Sequence, residues 1–459
     1  MAQIDRRNVQ GLIFQSYNYP LVGHFFFQFP SGVAARDFLK EWAPHVTNGE
    51  VDLAAKPDPL LNIALSWSGL KKTGAIDDRE GVTPAERAFP GDFRNPPNAK
   101  AMRDMGPSAP AHWWKGRFAS EDVDVVLLSY CQSAPSLAQQ TAAIRASANR
   151  FGLGELTPTS DGEPLTGNLA PQGILHFGYR DGISQPQINW ADEPGQAHLV
   201  DFRHFLLGYG DNHIESIPDQ KPWDTIVRDG CYLVLRWIYQ DVAKFNKYLR
   251  ERSSGLWPDM PANDAQELLA AKLMGRWRNG TPLVLFPDAP EADRANFMRN
   301  DFSYAMDPNG ERCPFSAHIR VANRRDDELN DRNKSMFTPG KPRVLRRGTS
   351  YGPHLDGEED DGVDRGVIGI FLCTNFEAQI FVLLRWINET NFNAKVTDTH
   401  GQDPLFGNRS VLDNSNRFEF HAKDRAHVLN GLQDFIRTQG VLNLLLPSLA
   451  TLQRIATPN

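Results

Sequence analysis

The stretch DGCYLVLRWIYQDVAKF, residues 229–245, carries the clearest sign of the fold. Residues 231–238 form a run of aliphatic and aromatic side chains after an Asp-Gly pair, which predicts a buried strand. Residues 241–249 follow directly and predict a helix. A strand that leads at once into a helix indicates a mixed α and β architecture.

The same rhythm recurs on both sides of this stretch. Further strands are predicted at 21–29, 123–130 and 366–373, and further helices at 34–46, 134–152, 263–280 and 376–387. In the helix over 263–280, Asp264 and Glu267 are spaced like a capping box and Gly280 is the predicted stop. Strands interleaved with helices predict two α+β sandwiches.

The bulk properties exclude several classes of protein. The chain has 459 residues and a formal net charge of -7, so nothing favours binding to nucleic acid or to an anionic membrane. No run of about 18 apolar residues appears, so no membrane span is expected. The four cysteines form no CxxC pair, and no signal-peptide cleavage site follows the N-terminus. We expect a cytoplasmic protein, although export in the folded state or as packaged cargo would leave no such mark.

Several other motifs in the sequence lack the context that their usual functions need. GTSYG, residues 348–352, matches a nucleophile elbow, but that elbow needs a helix immediately afterwards and Pro353 follows instead. The acidic run 355–364 lacks the spacing of an EF-hand, and a solvated charge run is the better interpretation. HExxH, Walker A and strand-linked GxGxxG motifs are absent from the sequence.

Two other positions are ambiguous when each is taken alone. Asp181, in the segment HFGYRDGISQP at 176–186, lies between glycines and beside an arginine, where a simple turn is the common explanation. His318, in CPFSAHIRVANRR at 313–325, lies in a short apolar segment flanked by arginines, where a structural role is the common explanation.

The combination of segments is far more specific than either one. The pattern Gly178-Tyr179-Arg180-Asp181-Gly182 is a GxxDG motif, and the chain resembles the dye-decolorizing peroxidases, in particular their extended-loop subgroup, along nearly its whole length. The family's segments recur in order as NVQGLIF, LNIALSWSGL, HFGYRDGISQP, FLLGYGD, DGCYLVLRWIYQDVAKF, LLAAKLMGRWRNGTPLV, CPFSAHIRVANRR, VLRRGTSYG and GQDPLFG.

The resemblance implies a fold and a cofactor. The expected fold is α+β with two ferredoxin-like halves, each a mainly antiparallel sheet with peripheral helices, as in dimeric α+β barrels. Residues 1–195 would form the half with the distal GxxDG loop, and residues 196–459 the half with the proximal haem ligand and the distal arginine. The cofactor would be haem b, iron protoporphyrin IX.

The resemblance also assigns roles to residues. His318 matches the proximal iron ligand, Asp181 the distal acid and Arg346 the distal arginine, with Arg347 as the alternative if the register differs by one. Gly178, Gly182, Arg180 and Arg346 would contact the cofactor, the glycines because a residue without Cβ allows close approach to a flat macrocycle. Glu389 is chosen as the carboxylate partner of His318, with Asp398 and Asp403 as competitors.

These residue types suit the cleavage of hydrogen peroxide. An axial imidazole feeds electron density to iron, an acid moves a proton between the two oxygens, and a fixed cation stabilises developing charge. The resemblance implies a ferryl porphyrin radical that oxidises organic dyes and phenols, with Mn(II) as an optional reductant. An aspartate stays ionised where a histidine is protonated, so we expect turnover to persist well below neutral pH.

Two aromatic residues and two rival functions complete the predictions. Trp386 and Tyr351 sit where family members carry surface residues that pass electrons from bulky substrates, although a tryptophan at helical spacing is more often part of the core. The alternative function is a haem-binding protein for haem handling or sensing with incidental peroxidase activity. A non-enzymatic interaction protein is the third possibility, and the sequence leaves the oligomeric state open.

Overall fold

A computed structural model describes residues 3–457 except 77–88, 96–98, 115–117, 120, 160, 197, 210–223, 330, 332–341, 391, 393–400, 413–415 and 423–424. The strands are β1 Leu21–Gln28, β2 Leu60–Leu65, β3 Val125–Cys131, β4 Gly154–Leu156, β5 Leu165–Asn168, β6 Ile188–Asn189, β7 Val200–Asp201, β8 Cys231–Gln240, β9 Leu345–Arg346, β10 Thr349–Tyr351, β11 Gly366–Cys373, β12 Arg417–Ala422, β13 Arg425–Asn430 and β14 Ile436–Leu446.

The α-helices are α1 Gly11–Phe14, α2 Gly32–Trp42, α3 Trp67–Lys72, α4 Gly91–Arg94, α5 Ala99–Met102, α6 Ala134–Arg150, α7 Asp224–Val227, α8 Val242–Ser253, α9 Ala262–Met274, α10 Arg294–Phe297, α11 His318–Ala322, α12 Val382–Glu389 and α13 Leu449–Ala456. A π-helical turn, Phe376–Phe381, leads directly into α12. None of the described helices has the length and apolar character needed to cross a membrane.

One large sheet organises the molecule. Its strand order is β10-β5-β1-β3-β2-β14-β8-β11-β9, and an additional pairing of β10 with β11 closes the sheet on itself. Strands β5-β1-β3-β2 come from the first part of the chain and β14-β8-β11-β10 from the second, and both groups have the fourth-first-third-second order of a ferredoxin-like unit. The predicted α+β fold with two ferredoxin-like halves is confirmed, whereas the boundary between residues 195 and 196 stays a prediction.

The sheet is buried on both faces, and the strand pleat explains how. Successive residues of a strand point to opposite sides, so Phe25 and Phe27 of β1 join a cluster with Phe38 of α2 and Ile144 of α6. Phe26 between them joins the opposite cluster, with residues of β3, β8, β11 and β14. The helices therefore cover one face, and strands of both halves pack together across the other.

Helix α9 ends earlier than predicted. It spans Ala262–Met274 and stops at Gly275, which adopts a left-handed φ of 88°. Pro261 takes the N-cap position without a side-chain cap, so the predicted capping box does not form. Gly280, the predicted stop, lies in the following hairpin, where Arg276 pairs with Pro282. A glycine with positive φ ends a helix as soon as the backbone reaches it.

The segment GTSYG contains no nucleophile elbow. Ser350 lies inside strand β10 and its hydroxyl donates to the carbonyl of Asn168 at 3.0 Å. The chain after Pro353 is an irregular loop up to β11 rather than a helix. The rejection of a hydrolase site is therefore confirmed.

Candidate active site

His318 is the first residue of α11 and its imidazole is held by a buried carboxylate. Nδ1 lies 2.7 Å from Oδ2 of Asp403, a side chain with no solvent exposure. Oδ1 of Asp403 accepts the main-chain N–H groups of Leu405 at 2.9 Å and Phe406 at 3.0 Å. An ionised carboxylate can only accept hydrogen bonds, so the proton resides on Nδ1 and the Nε2 lone pair is left for a ligand.

The choice of Glu389 as the partner of His318 is corrected by this geometry. Glu389 lies at the C-terminal end of α12 and accepts a hydrogen bond of 2.7 Å from Nε of Arg103. Asp403 is held beside α12, because its N–H donates to the carbonyl of Ile387 at 3.0 Å. Asp398, the other competitor, lies outside the described residues.

The GxxDG loop is a backbone turn fixed from both sides. Gly178 and Gly182 adopt φ values of 85° and 78°, which side chains with a Cβ rarely adopt. The N–H of Asp181 donates to the carbonyl of Gly173 at 2.8 Å, and the N–H of Arg180 to that of Arg278 at 2.9 Å. The loop is thus anchored through its main chain, which leaves the Asp181 side chain unencumbered.

Arg180 helps to hold the same loop. Its Nε donates to the carbonyl of Asn279 at 2.9 Å and its Nη1 to that of Gln172 at 2.8 Å. The guanidinium also lies over the ring of Phe297, 5.1 Å from the centroid. These contacts explain a positioning role, and a contact with a cofactor stays a prediction.

Asp181 and Arg346 face each other across a gap. Nη1 of Arg346 lies 3.6 Å from Oδ1 of Asp181, and the two side chains are 41% and 46% exposed. The Nη2 of Arg346 donates to the carbonyl of Ser184 at 2.8 Å. Gln185 donates to the Arg346 carbonyl at 3.1 Å, so the loop and strand β9 are tied together. The sequence reasoning missed Gln185, although it lies inside the quoted HFGYRDGISQP segment.

The register question between the two arginines has a structural answer. Arg347 is buried, and its Nε and Nη2 donate to the carbonyls of Leu12 and Ile13 at 2.8 and 3.1 Å. It therefore closes the end of α1. Of the two arginines, Arg346 is the one that faces Asp181.

A short hairpin links the His318 segment to the Asp181 loop. A Cβ built on Gly275 would lie 2.6 Å from Cγ1 of Ile319, the residue after His318. A Cβ built on Gly280 would lie 2.7 Å from Cδ1 of Ile183, two residues after Asp181. Both close approaches come from one hairpin, so the same hairpin packs against the His318 segment and the Asp181 loop.

The residues of the candidate site fit an iron porphyrin. His318 offers one imidazole nitrogen, and a single proximal histidine is the protein ligand that haem iron takes in peroxidases. A Cβ added to Gly182 would meet no atom within 4 Å, so the left-handed turn borders open space. Asp181 and Arg346 are nearly half exposed and add the acid and the cation that peroxide chemistry needs.

The description of Trp386 and Tyr351 as surface residues is wrong. Trp386 is 1% exposed and packs with Val321 and Phe392, and the Arg324 guanidinium lies 5.1 Å from the centroid of one of its rings. Tyr351 is 5% exposed, and its hydroxyl is 2.9 Å from Oδ1 of Asp364. Burial raises the pKa of Tyr351 well above its ordinary value, with Asp364 as the second cause. A bulky substrate could not contact either ring directly.

The fold and this site together resemble proteins of known activity. Dye-decolorizing peroxidase msp1 of Mycetinis scorodonius is 29% identical over 439 residues, 89% of this chain and 79% of that protein. The multifunctional dye peroxidase DyP2 of an Amycolatopsis species is 26% identical over 92% of this chain and 86% of that protein. The solved structure of an ancestral D-type dye-decolorizing peroxidase has a TM-score of 0.78 and 27% identity, covering 98% of this chain and 99% of the other. No family model matches the chain.

These relatives show that the chain is a peroxidase. Its relatives and structural neighbours are dye-decolorizing peroxidases, so the predicted resemblance to that family is confirmed. Dye-decolorizing peroxidases are haem enzymes.

Proposed function

We propose that this chain is a haem b peroxidase that reduces hydrogen peroxide and oxidises organic dyes and phenols. The observation that carries the proposal is that one hairpin packs against two segments, each with a polar pair. His318 lies 2.7 Å from Asp403, and Asp181 lies 3.6 Å from Arg346. The names of the curated relatives support dyes as substrates. A fold neighbour with 23% identity was solved with 2,6-dimethoxyphenol, which motivates the phenols.

Mn(II) as an optional reductant stays a prediction. Organic dyes are the substrates that the names of the relatives support.

His318 would hold the haem iron through Nε2. Haem, when bound, supplies the iron at which the peroxide bond is cleaved and stores the oxidising equivalents. Asp403 keeps the proton on Nδ1 and draws on it, which raises the donor strength of Nε2. Its own two main-chain donors fix the carboxylate, so the imidazole orientation is set before any cofactor binds.

Asp181 would move the proton. Its ionised carboxylate accepts the proton of one peroxide oxygen and returns it to the other, which then leaves as water. The anchored main chain of the loop holds the acid in place, whereas the gap to Arg346 leaves its oxygens accessible.

Arg346 would stabilise the negative charge that develops as the oxygen–oxygen bond breaks. Its guanidinium is permanently charged and planar, so it can donate to peroxide and to Asp181 together. The hydrogen bond to the Ser184 carbonyl fixes its direction. No reorganisation is then needed during the reaction, which is the basis of electrostatic catalysis.

The cysteines support a reducing compartment as part of the proposal. Cys131, Cys231, Cys313 and Cys373 are all free and buried. Such thiols are usual where disulfides do not form.

A visible spectrum before and after peroxide tests the function. The full chain produced with adequate haem should show a Soret band of five-coordinate ferric haem, and one equivalent of hydrogen peroxide should change that spectrum within the mixing time. His318→Ala should lose this coordination, whereas His427→Ala, in strand β13, should keep it. A chain that binds haem but reacts only slowly with peroxide would favour haem handling, and a chain that binds none would favour an interaction protein.

A further inference from the structure

Gln185 contacts the main chain of Arg346 through both ends of its carboxamide. Its Nε2 donates to the Arg346 carbonyl at 3.1 Å, and its Oε1 accepts the Arg346 N–H at 3.4 Å. The two residues are 161 positions apart in the chain. One side chain therefore satisfies the donor and the acceptor of a single residue, as a neighbouring strand would.

The place of Arg346 in the sheet explains why this contact is available. Strand β9 is the last strand at its end of the sheet and pairs with β11 on its inner side. The N–H of Arg347 donates to the carbonyl of Ile370 in β11 at 2.8 Å. Main-chain groups of successive strand residues point to opposite sides, so those of Arg346 face away from β11. Gln185 occupies this outer edge, which would otherwise be unpaired.

The same loop also holds the Arg346 side chain. Nη2 of Arg346 donates to the carbonyl of Ser184 at 2.8 Å, and Nη1 lies 3.6 Å from Oδ1 of Asp181. The loop is itself fixed, because the N–H of Asp181 donates to the carbonyl of Gly173 at 2.8 Å. A shift of the Arg346 main chain would therefore change the gap between the guanidinium and the acid.

A carboxamide suits this position better than other side chains of similar size. It carries a donor and an acceptor and no charge. A carboxylate would lack the donor for the Arg346 carbonyl, and it would compete with Asp181 for the guanidinium. An aliphatic side chain would leave both main-chain groups of Arg346 without a partner.

We propose that Gln185 is a positioning residue for the reaction with peroxide, because it holds the main chain of Arg346 and thereby sets the gap between the guanidinium and Asp181. This inference rests on the proposed function, since it assumes that Asp181 and Arg346 act on peroxide. Gln185 acts through Arg346. A displacement of about 1 Å at a reacting group can lower a rate by about 10²-fold, so the contact matters for more than stability.

The charged groups around Arg346 define how a carboxylate at position 185 would behave. Asp181 faces the guanidinium of Arg346. Burial lowers the pKa of Arg276 and of Arg347, and the charge of Arg346 also contributes to both shifts. These cations outnumber the single acid, so an introduced carboxylate should be ionised at neutral pH.

The test is a pH profile of Gln185→Glu and Gln185→Leu. The matched control is Gln187→Glu, which makes the same change two residues further on, at an exposed side chain. Stopped-flow spectroscopy measures the rate of the haem-loaded protein with hydrogen peroxide from pH 7 to about pH 3. Each rate is divided by that of the wild type at the same pH, which cancels the titration of Asp181. Unfolding temperatures check the fold.

The two variants at position 185 should differ in their response to acid. Gln185→Leu should be about tenfold slower than the wild type at every pH. Gln185→Glu should be at least about tenfold slower at pH 7, and its ratio should rise toward one as the pH falls through and below about 4.3. A protonated carboxyl group has a donor and an acceptor, as the amide does. Gln187→Glu should stay at a ratio of one.

Crystal structures of the wild type and Gln185→Leu supply a second readout. The distance from Nη1 of Arg346 to Oδ1 of Asp181 should differ between them by about 1 Å. An unchanged distance, or a ratio for Gln185→Glu that does not respond to acid, overturns the positioning role. If Gln185→Leu does not fold, the pH profile of Gln185→Glu decides alone. A wild type that binds haem and does not react with peroxide overturns the proposed function instead.

Discussion

The two sides of the candidate site are built in opposite ways. On the proximal side, His318 and Asp403 are 2.7 Å apart, and the carboxylate is fully buried and bonded to two main-chain N–H groups. On the distal side, Asp181 and Arg346 are 3.6 Å apart and nearly half exposed. A group that must never change partner is saturated with hydrogen bonds, whereas groups that must receive a small substrate keep donors and acceptors open.

Removal of the distal acid should have the largest effect. Asp181→Asn keeps the shape of the side chain but cannot accept a proton from peroxide, so the rate of the reaction with hydrogen peroxide should fall by about 10²- to 10⁴-fold. Stopped-flow spectroscopy of the haem-loaded protein measures that rate, and the resting spectrum serves as the control for intact proximal coordination. Full activity of this variant across acid pH would refute the proton-transfer role.

Replacement of the distal cation should come next. Arg346→Lys retains the charge but loses the planar fork that donates to both Ser184 and peroxide, so the same rate should fall by about 10²-fold. Haem content should be unchanged. Arg180→Lys, on the GxxDG loop that faces Arg346, is the comparison variant. Equal kinetics for Arg346→Lys and the wild type would show that charge alone suffices.

Replacement of the proximal carboxylate, Asp403, should slow turnover less than the two distal changes do, but it should also alter the vibrational spectrum. Asp403→Asn weakens the pull on the Nδ1 proton, so the iron–imidazole stretching frequency should fall and activity should decrease by about 10- to 100-fold. Glu389→Gln, which changes the side chain that contacts Arg103 and not His318, should leave the frequency in place. A frequency that responds to Glu389 and not to Asp403 would reverse the assignment.

Acid should destabilise the segment that leads into the distal loop. Burial lowers the pKa of His176, at the start of the HFGYRDG segment, to about 4. The unfolded chain has the ordinary value of about 6.5 and so binds the proton first. This contribution to stability is therefore complete above pH 6.5 and is lost as the pH falls toward 4, by about 3 kcal/mol in all.

Unfolding temperatures of the wild type and His176→Gln between pH 7 and pH 4 measure this effect. The variant should show a shallower decline, because glutamine keeps a donor for the Tyr351 carbonyl that His176 contacts at 2.8 Å and does not titrate. Parallel curves for the two proteins would remove His176 as the cause.

The smallest effects should come from the buried aromatic residues. Trp386→Phe and Tyr351→Phe should each change the oxidation of a small phenol by less than about twofold, because neither ring reaches the surface. The same should hold for a bulky dye. A selective loss of dye oxidation in either variant would show that electrons reach the surface through that ring despite its burial.

The sequence was most reliable for elements whose signals are local. The run of β-branched and aliphatic residues at 366–373 matches strand β11 at both ends, because a buried strand needs only its own side chains and its partners' backbone. The helix over 263–280 was too long by several residues, since Gly275 and the apolar positions beyond it fit a helical spacing equally well. The helix ends where Gly275 adopts its left-handed φ and the chain turns into the hairpin.

The site shows the same division. Motifs placed His318, Asp181 and Arg346 together as a hypothesis, and the structure shows Asp181 and Arg346 facing each other. The sequence does not decide the partner of His318. Glu389 and Asp403 are 71 and 85 residues away in the chain, and no local pattern tells which of them returns to the histidine. The main-chain bond from Asp403 to Ile387 decides between them.

The sequence by itself determined the α+β class, the order of its elements and the residue types for peroxide chemistry, because periodicity and short motifs are properties of neighbouring residues. Tertiary structure alone decided the closure of the sheet through β10, the pairing of Asp403 with His318 and the burial of Trp386. Each of these is a contact between residues distant in the chain, and its energy depends on a separation that no local pattern encodes.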